Sequence, residues 1–498
     1  MAESFVLAID QGTTSTRAVV FNSEARSLGS ASKELPQYYP QPGWVEHDAD
    51  EIWSSVAEVV PQALKAAGIK ASNIAAIGIT NQRETCLIWE RSTGRPTARA
   101  LVWQDRRTAE FCRQHKSDEP WITSQTGLVL DPYFSATKLH WMLNAAPGLA
   151  ARAASGQLAC GTIDSFLIWR LTGGKNHVTD VSNASRTLLV DLKTAGWDKE
   201  LCKYFGVPPS ILPRICPSAA DYGTTTGLSF LPDGLPITGV AGDQQAALFG
   251  QRAFAAGQGK CTYGTGAFFL LHTGSEPILS RHRLLTTIAA TTDERPLYAL
   301  EGSVFIAGAA VQWLRDGLKL YETSPQIEKL ATESDPEQPV IFVPGLVGLG
   351  APHWLPEARG VFFGLTPGTT RADFGRAALE GVGFQVADLI EAAQKDAGKT
   401  LNSLQVDGGM ANNKWFLQFQ ADILGITVQQ AHELESTALG AAFLAGLKVG
   451  VWKNLDALRR LPQAGLSFAP RLPAETREHR LREWRRAVAA VIAFYRPN

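Results

Sequence analysis

No stretch of this chain stays apolar for the roughly 20 residues that crossing a bilayer takes, so no membrane span is expected. Neither sign of charge is in excess. Lys and Arg number 47 against 48 Asp and Glu, a formal net of -1, which removes the electrostatic case for a nucleic-acid or polyanion partner. Cysteine is sparse and scattered: Cys86, Cys112, Cys160, Cys202, Cys216 and Cys261 form no CxxC and have no histidine at ligand spacing. That excludes a zinc motif and a disulfide framework and leaves reduced core thiols. The opening residues, MAESFVLAID, lack the basic region and apolar core of a signal peptide, so a cytoplasmic protein is expected.

What is present is a globular composition, 45% hydrophobic and 19% charged, with 45 Gly and 27 Pro spread along 498 residues. A chain of this length exceeds one ordinary core, and two large domains are expected. Residues 5–9 and 17–21 read as a strand pair with turn chemistry between them. Further strands are expected at 74–80 and 85–90, and helices at 50–67 and 136–145. The stretch PITGVAGDQQAALFGQ (236–251) reads as a buried strand ending at Gly242, then a helix. KCTYGTGAFFLLHTG (260–274) repeats the opening pattern of strand, Gly/Thr turn and strand. After it come helices near 304–318 and at 372–397, then a strand, Gly-Gly turn and helix over 403–425. The small residues of ESTALGAAFLAGL (435–447) suit tight helix packing. The chain therefore divides into two halves, 1–251 and 252–498, each opening on the same hairpin.

A turn rich in Gly and Thr leaves backbone N–H groups uncovered and adds hydroxyl donors, which is the chemistry of a phosphate grip. The first turn offers Thr13, Thr14 and Ser15, with Arg17 beyond it, and the second, YGTG (263–266), offers Thr265. An ordinary hairpin loop is the competing reading of either turn alone. DGG (407–409), at a strand end before a helix, is a third open backbone suited to an adenosine. Two look-alikes fail. AQKDAGKT (393–400) has Ala393 where a phosphate loop needs its first Gly and lies at a helix end, so Gly398 reads as a helix stop. GLVGLG (345–350) lacks the flanking strand and helix of a dinucleotide fingerprint and reads as a loop.

A second set of residues suits a small polyol. Arg83 and Glu84 in NQRET, Tyr133, and Asp243 with Gln244 offer guanidinium, carboxylate, phenol and carboxamide to hydroxyls that each need a donor and an acceptor. Trp103 and Phe268 can supply the apolar wall. The alternatives are a surface-turn ion pair for Arg83–Glu84 and a helix N-cap for Asp243.

At these residues the sequence resembles a known family. DQGTTSTR, GITNQRET, PGWVEHD, DPYFSATK, GDQQAALFGQ, YGTGAF, ALEG, GLGAPHW and DGG, in one order from about residue 5 to about 455, are similar to the FGGY carbohydrate kinases, and to the branch acting on glycerol. The resemblance implies an α/β fold of two actin-like ATPase (ribonuclease H-like) domains with an interdomain cleft, and phosphorylation of glycerol to sn-glycerol 3-phosphate by ATP. Thr13, Thr14, Ser15, Arg17 and Thr265 then match the phosphate turns. Gly308 and Gln312 lie in a helix lining the nucleotide, and Gly409 and Asn413 flank the adenosine. Arg83, Glu84, Tyr133, Asp243 and Gln244 match glycerol ligands, with Trp103 and Phe268 as the wall. Asp10 and Asp243 match positions bracketing Mg2+, and Asp243 is the expected general base. The resemblance leaves a homo-oligomer, dimer or tetramer, open.

Departures from the family pattern, at 223–235 and beyond about 465, remove the expectation of allosteric inhibition. The basic run 477–495 reads as a solvated helix face. Two rivals share the hairpins: a nucleotide-driven machine of the actin type, and another FGGY kinase acting on a pentulose or tetritol.

Overall fold

The computed structural model describes residues 4–431, 435–462 and 465–496. Its first sheet has five strands in the order Ile237–Gly242, Ile74–Asn81, Phe5–Gln11, Ser15–Phe21, Ser27–Glu34. Phe5–Gln11 pairs antiparallel with Ser15–Phe21 and parallel with Ile74–Asn81, which pairs parallel with Ile237–Gly242. The central strands are buried on both faces, so they read as near-continuous apolar runs rather than alternating ones.

The second sheet repeats this plan. Its order is Leu285–Ile288, Tyr298–Val304, Ala267–Gly274, Gly259–Tyr263, Ser403–Asp407, Thr427–Gln430, Ser467–Phe468. Again the opening hairpin is antiparallel, and its first strand pairs parallel with the strand that arrives later in the chain. The sequence repeat is thus a repeat of topology: two ribonuclease H-like sheets, each opening on a Gly/Thr turn. A four-stranded sheet, in the order Glu46–His47, Ala100–Leu101, Cys86–Glu90, Leu158–Thr162, and the helix Ser135–Ala145 are added to the first half, with a core around Phe134, Leu139 and Phe205.

The helices fall where periodicity places them, at Ala49–Ala67, Ser135–Ala145 and Arg371–Ala397. Gly398 ends the last of these in the left-handed conformation, at φ 59°. The helix expected near 304–318 is shorter, Gly308–Asp316, because Ser303 and Val304 still belong to a strand. All six cysteines are free and buried. No helix among the described residues is long and apolar enough to cross a membrane.

One late helix departs from a simple division into halves. Ser436–Val449 packs on the first sheet, with Ala438, Ala442 and Phe443 in one core with Val6, Ala76 and Ala241. Its small residues permit backbone-to-backbone contact: a Cβ at Gly440 would run into the Ala246 carbonyl, and one at Gly78 into that of Ala441. The basic tail forms the helix Ala474–Tyr495, and one side of it is not solvated. Trp484, Ala487, Val488 and Val491 are buried beside Phe384, while Arg480 pairs with Glu380 at 2.7 Å. The charged run had hidden an apolar stripe at helical spacing.

Candidate active site

Arg83 and Glu84 lie in the turn between Ile74–Asn81 and Cys86–Glu90, and they are not at the surface. Their exposures are 2% and 1%. The turn is tight: Thr85 N–H donates to the Arg83 carbonyl at 2.7 Å, and Glu84 sits at φ 58°. A left-handed glutamate is uncommon backbone, and such residues cluster at functional sites. Arg83 and Glu84 are 4.0 Å apart and each has a closer partner. The Arg83 guanidinium forks onto Glu301, Nη1 to Oε2 at 2.6 Å and Nη2 to Oε1 at 2.9 Å, and Nη1 also donates to Gln245 at 3.1 Å. Its Nε lies 3.1 Å from Asp243 Oδ1. Arg186 Nε donates to Glu84 Oε1 at 2.7 Å and its Nη2 to Glu301 Oε1 at 3.1 Å.

Burial opposes every charge in this cluster, and pairing decides which groups stay ionised. Burial pushes Glu301 up, but the Arg186 and Arg83 guanidiniums more than offset it and hold the carboxyl down at about 2. Burial likewise works against Arg83, yet Glu301, Glu84 and Asp243 keep it charged. Glu84 is pushed up by burial against the pull of Arg186 and Arg83. The Tyr133 phenol, raised by burial and by Glu84, stays neutral.

Asp243 is the first residue of the helix Asp243–Gly250; the cap position belongs to Gly242, whose missing side chain leaves room for Arg83. The Asp243 carboxylate accepts from the Gln244 N–H at 2.7 Å and is 32% exposed. It is therefore not the N-cap that local sequence allowed. Gln244 accepts from Lys260 Nζ, which also donates to Thr262 at 2.9 Å and to the Phe268 carbonyl at 3.4 Å. Lys260, fully buried in the first strand of the second hairpin, thus ties the Asp243 helix to that hairpin.

Trp103 joins the polar cluster to the first turn. Its backbone N–H donates to Thr85 at 3.1 Å, its indole N–H donates to Thr13 at 2.8 Å, and its ring meets Tyr133 edge-on at 5.6 Å. In that turn Thr14 is exposed, and Gly12 N–H donates to the Ser15 carbonyl at 2.9 Å. Arg17 pairs with Glu435, at the start of the Ser436–Val449 helix. Asp10, at the end of its strand, is pushed up to about 7 by burial and by the charge of Asp243, against the pull of Arg17.

The second turn gathers the remaining residues. The Thr265 carbonyl accepts from Ala307 at 2.8 Å and Ala309 at 3.1 Å, and Gly264 accepts from Gly308, so the Gly308–Asp316 helix starts on the turn. Gln312 is exposed on that helix. Gly408, at φ 87°, lies against Tyr263, where a Cβ would come within 2.5 Å of the carbonyl oxygen. Gly409 beside it faces open space. Asn413 caps the helix Lys414–Leu424, accepting from Phe416 N–H at 2.8 Å.

Sequence reasoning missed Arg186, gave no role to Lys260, and met Gln245 and Glu301 only inside the GDQQAALFGQ and ALEG motifs. Lys260 sits in an alternating strand pattern that gives no hint of a fully buried ammonium.

Duplicated ribonuclease H-like sheets, each opening on a Gly/Thr hairpin, define an actin-like ATPase fold. Residues 5–250 match the N-terminal domain of the FGGY family of carbohydrate kinases and residues 259–449 its C-terminal domain, and the chain belongs to that family. It is 52% identical over 492 residues to the glycerol kinase of Myxococcus xanthus, covering 97% of this chain and 98% of that one. It is 51% identical over 497 residues to the glycerol kinase of Enterococcus casseliflavus, covering 99% and 98%. The crystal structure of Plasmodium falciparum glycerol kinase with ADP superposes with a TM-score of 0.92 at 37% identity, covering 98% of each chain. A ligand-bound xylulose kinase from Lactobacillus acidophilus, with TM-score 0.88 and 24% identity over 99% of each chain, shares the fold.

Proposed function

We propose that this protein transfers the γ-phosphoryl group of ATP to a terminal hydroxyl of glycerol, giving sn-glycerol 3-phosphate and ADP. The observation that carries this reading is the buried Arg83–Glu84 pair with the half-buried Asp243 beside it, next to the Tyr133 and Trp103 rings. It offers charged donors and acceptors beside an aromatic face, which a short polyol requires once desolvated. The roughly 50% identity to glycerol kinases over nearly the whole chain supports it.

In this reading Asp243 orients the attacking hydroxyl and accepts its proton, while Arg83 Nε, 3.1 Å away, fixes the carboxylate. Arg83, Glu84, Tyr133 and Gln244 hold the glycerol hydroxyls, and Trp103 and Phe268 cover its carbon chain. The backbone and hydroxyls of Thr13, Thr14 and Ser15 with Arg17 grip the phosphates from the 1–251 half, and Thr265 does so from the 252–498 half. Gly308, Gln312, Gly409 and Asn413 receive the rest of the nucleotide. Phosphoryl transfer asks mainly for such positioning and charge neutralisation.

Burial, with the charge of Asp243 added to it, raises the Asp10 carboxyl, and no cluster of three His, Cys, Asp or Glu is present among the described residues. Two hard oxygen donors without a full cage fit Mg2+, which keeps waters and nucleotide oxygens among its ligands. Bound there, it would neutralise charge on the β- and γ-phosphates. The six buried, free cysteines and the dependence on ATP fit a cytoplasmic location.

A panel of glycerol, erythritol, D-xylulose and no acceptor, each with ATP and magnesium, tests the reading. Glycerol should exceed the others in kcat/KM by about 10²-fold or more, since unpaired buried polar groups penalise a wrong acceptor. Preference for the ketose, or ATP turnover indifferent to any polyol, would overturn it.

A further inference from the structure

Glu301 reaches the polyol cluster from the second sheet, on the strand Tyr298–Val304, and it is fully buried. Its two oxygens are divided between two guanidiniums: Oε2 accepts from Arg83 Nη1 at 2.6 Å, and Oε1 accepts from Arg83 Nη2 at 2.9 Å and Arg186 Nη2 at 3.1 Å. Arg186 in turn holds Glu84, and its Cζ lies 5.6 Å from the Tyr133 ring centroid. Arg83 and Arg186 against Glu84 and Glu301 make a buried square of balanced charge. Three of its members come from the first half of the chain and one from the second.

We propose that Glu301 is the positioning residue of the polyol site, fixing the plane of the Arg83 guanidinium so that its Nε meets Asp243, with Arg186 as the counter-ion that keeps Glu301 in place. The inference rests on the glycerol-kinase reading of the cluster.

The geometry carries it in three steps. A guanidinium presents its donors in a rigid planar fork, so a carboxylate that takes both Nη groups sets the direction of Nε as well. Arg83 spends Nη1 and Nη2 on Glu301, with Gln245 as a second acceptor for Nη1, and Nε is the group aimed at Asp243. Within the fork, only Glu301 takes both ends. Without it, the buried cation retains Asp243 and Glu84 as charged partners and turns toward them. Both are proposed substrate ligands, and a guanidinium collapsed onto them competes with the hydroxyls they would bind. Arg186 cannot substitute, because it carries the same sign as Arg83. The pull of two guanidiniums against burial also keeps Glu301 ionised through the working pH range.

The first test variant is Glu301→Gln, which keeps size and one acceptor but turns an amide toward one leg of the fork. With glycerol-dependent turnover of the wild type measured alongside, glycerol kcat/KM should fall about 10- to 100-fold, with glycerol KM raised, as for loss of a charged buried hydrogen bond. The ATP KM should stay within about twofold, because no nucleotide-facing turn is touched. A variant that merely loosens the fold would lower active fraction and melting temperature while leaving glycerol KM alone, and that result overturns the proposal. Glu301→Asp keeps the charge with a shorter reach and should fall between wild type and Glu301→Gln in glycerol KM; an aspartate variant no better than the glutamine one also counts against it.

Should Glu301→Gln fail to fold because two arginines are left under-neutralised, the double variant Arg186→Gln with Glu301→Gln restores the charge balance. Weak glycerol binding in the double variant by calorimetry, with nucleotide binding intact, supports a positioning role. Wild-type glycerol affinity there would mean that Glu301 serves only to neutralise Arg186. A wild type with no glycerol turnover at all would instead defeat the reading on which the proposal rests.

Discussion

Among the single residues, Asp243 has the most specific assignment. Gly242 holds the cap position, so capping no longer accounts for an aspartate at the head of this helix. Asp243→Asn should keep the hydrogen bond from the Gln244 N–H and fold with near-normal stability, while kcat falls about a hundredfold or more, as for a lost general base. Melting temperature, nucleotide binding and glycerol-dependent turnover on one preparation check this, and near-wild-type turnover would sink it. Trp103 makes a second prediction. Its ring meets Tyr133 at the proposed polyol wall, and its N–H donates to Thr13 in the proposed first phosphate turn. Trp103→Phe keeps the wall and removes one neutral hydrogen bond, worth about 0.5–1.5 kcal/mol. ATP KM should therefore rise about two- to tenfold, more than glycerol KM does; steady-state titrations of each substrate separate the two.

The residues legible in the sequence were those in short motifs: Arg83, Glu84, Asp243 and the turn hydroxyls. Arg186 lies outside the motifs and Glu301 lies within ALEG with no role to mark it, because their chemistry is a pairing between positions 115 apart in the chain. Lys260 was hidden by the alternation of its own strand.

Whole elements were more legible than their partners were. The hairpins, the long helix Arg371–Ala397 and the Gly398 stop follow from local pattern, since periodicity and turn chemistry act within a few residues. The tail helix was misjudged because counting charges says nothing of what lies opposite them. Its Trp484 indole donates to Asp388 at 2.7 Å, and Arg485 stands 3.9 Å from the same carboxylate. Arg485 is 46% exposed, so water weakens that pairing, and burial wins: Asp388 is pushed up to about 6. A carboxyl raised on folding adds stability below its unfolded value of 3.8, and that stability is lost as pH climbs through about 6. Asp388→Asn keeps an acceptor for Trp484 and cannot ionise. Its melting temperature relative to wild type should rise between pH 4 and pH 7.5 and then level off. A difference that does not change with pH would show that the Asp388 charge costs the fold nothing.

At the scale of the molecule, the two Gly/Thr turns belong to different sheets, and Gln244–Lys260 and Arg83–Glu301 are contacts between the halves. If the turns grip one nucleotide, binding should bring the halves together. Small-angle scattering with an ATP analogue plus glycerol should give a smaller radius of gyration than the free protein; an unchanged profile at saturation would argue against a hinged cleft.

The helix Ser436–Val449 carries a different consequence, for the order in which the protein is made. The first sheet is complete once residue 242 has left the ribosome, yet the helix that covers its apolar face begins almost two hundred residues later. During that interval a nascent chain holds Val6, Ala76 and Ala241 without their final neighbours, an apolar surface open to any other chain nearby. The first domain to emerge is thus among the last to be finished, and the protein's vulnerability in the cell is set by the time needed to translate the second.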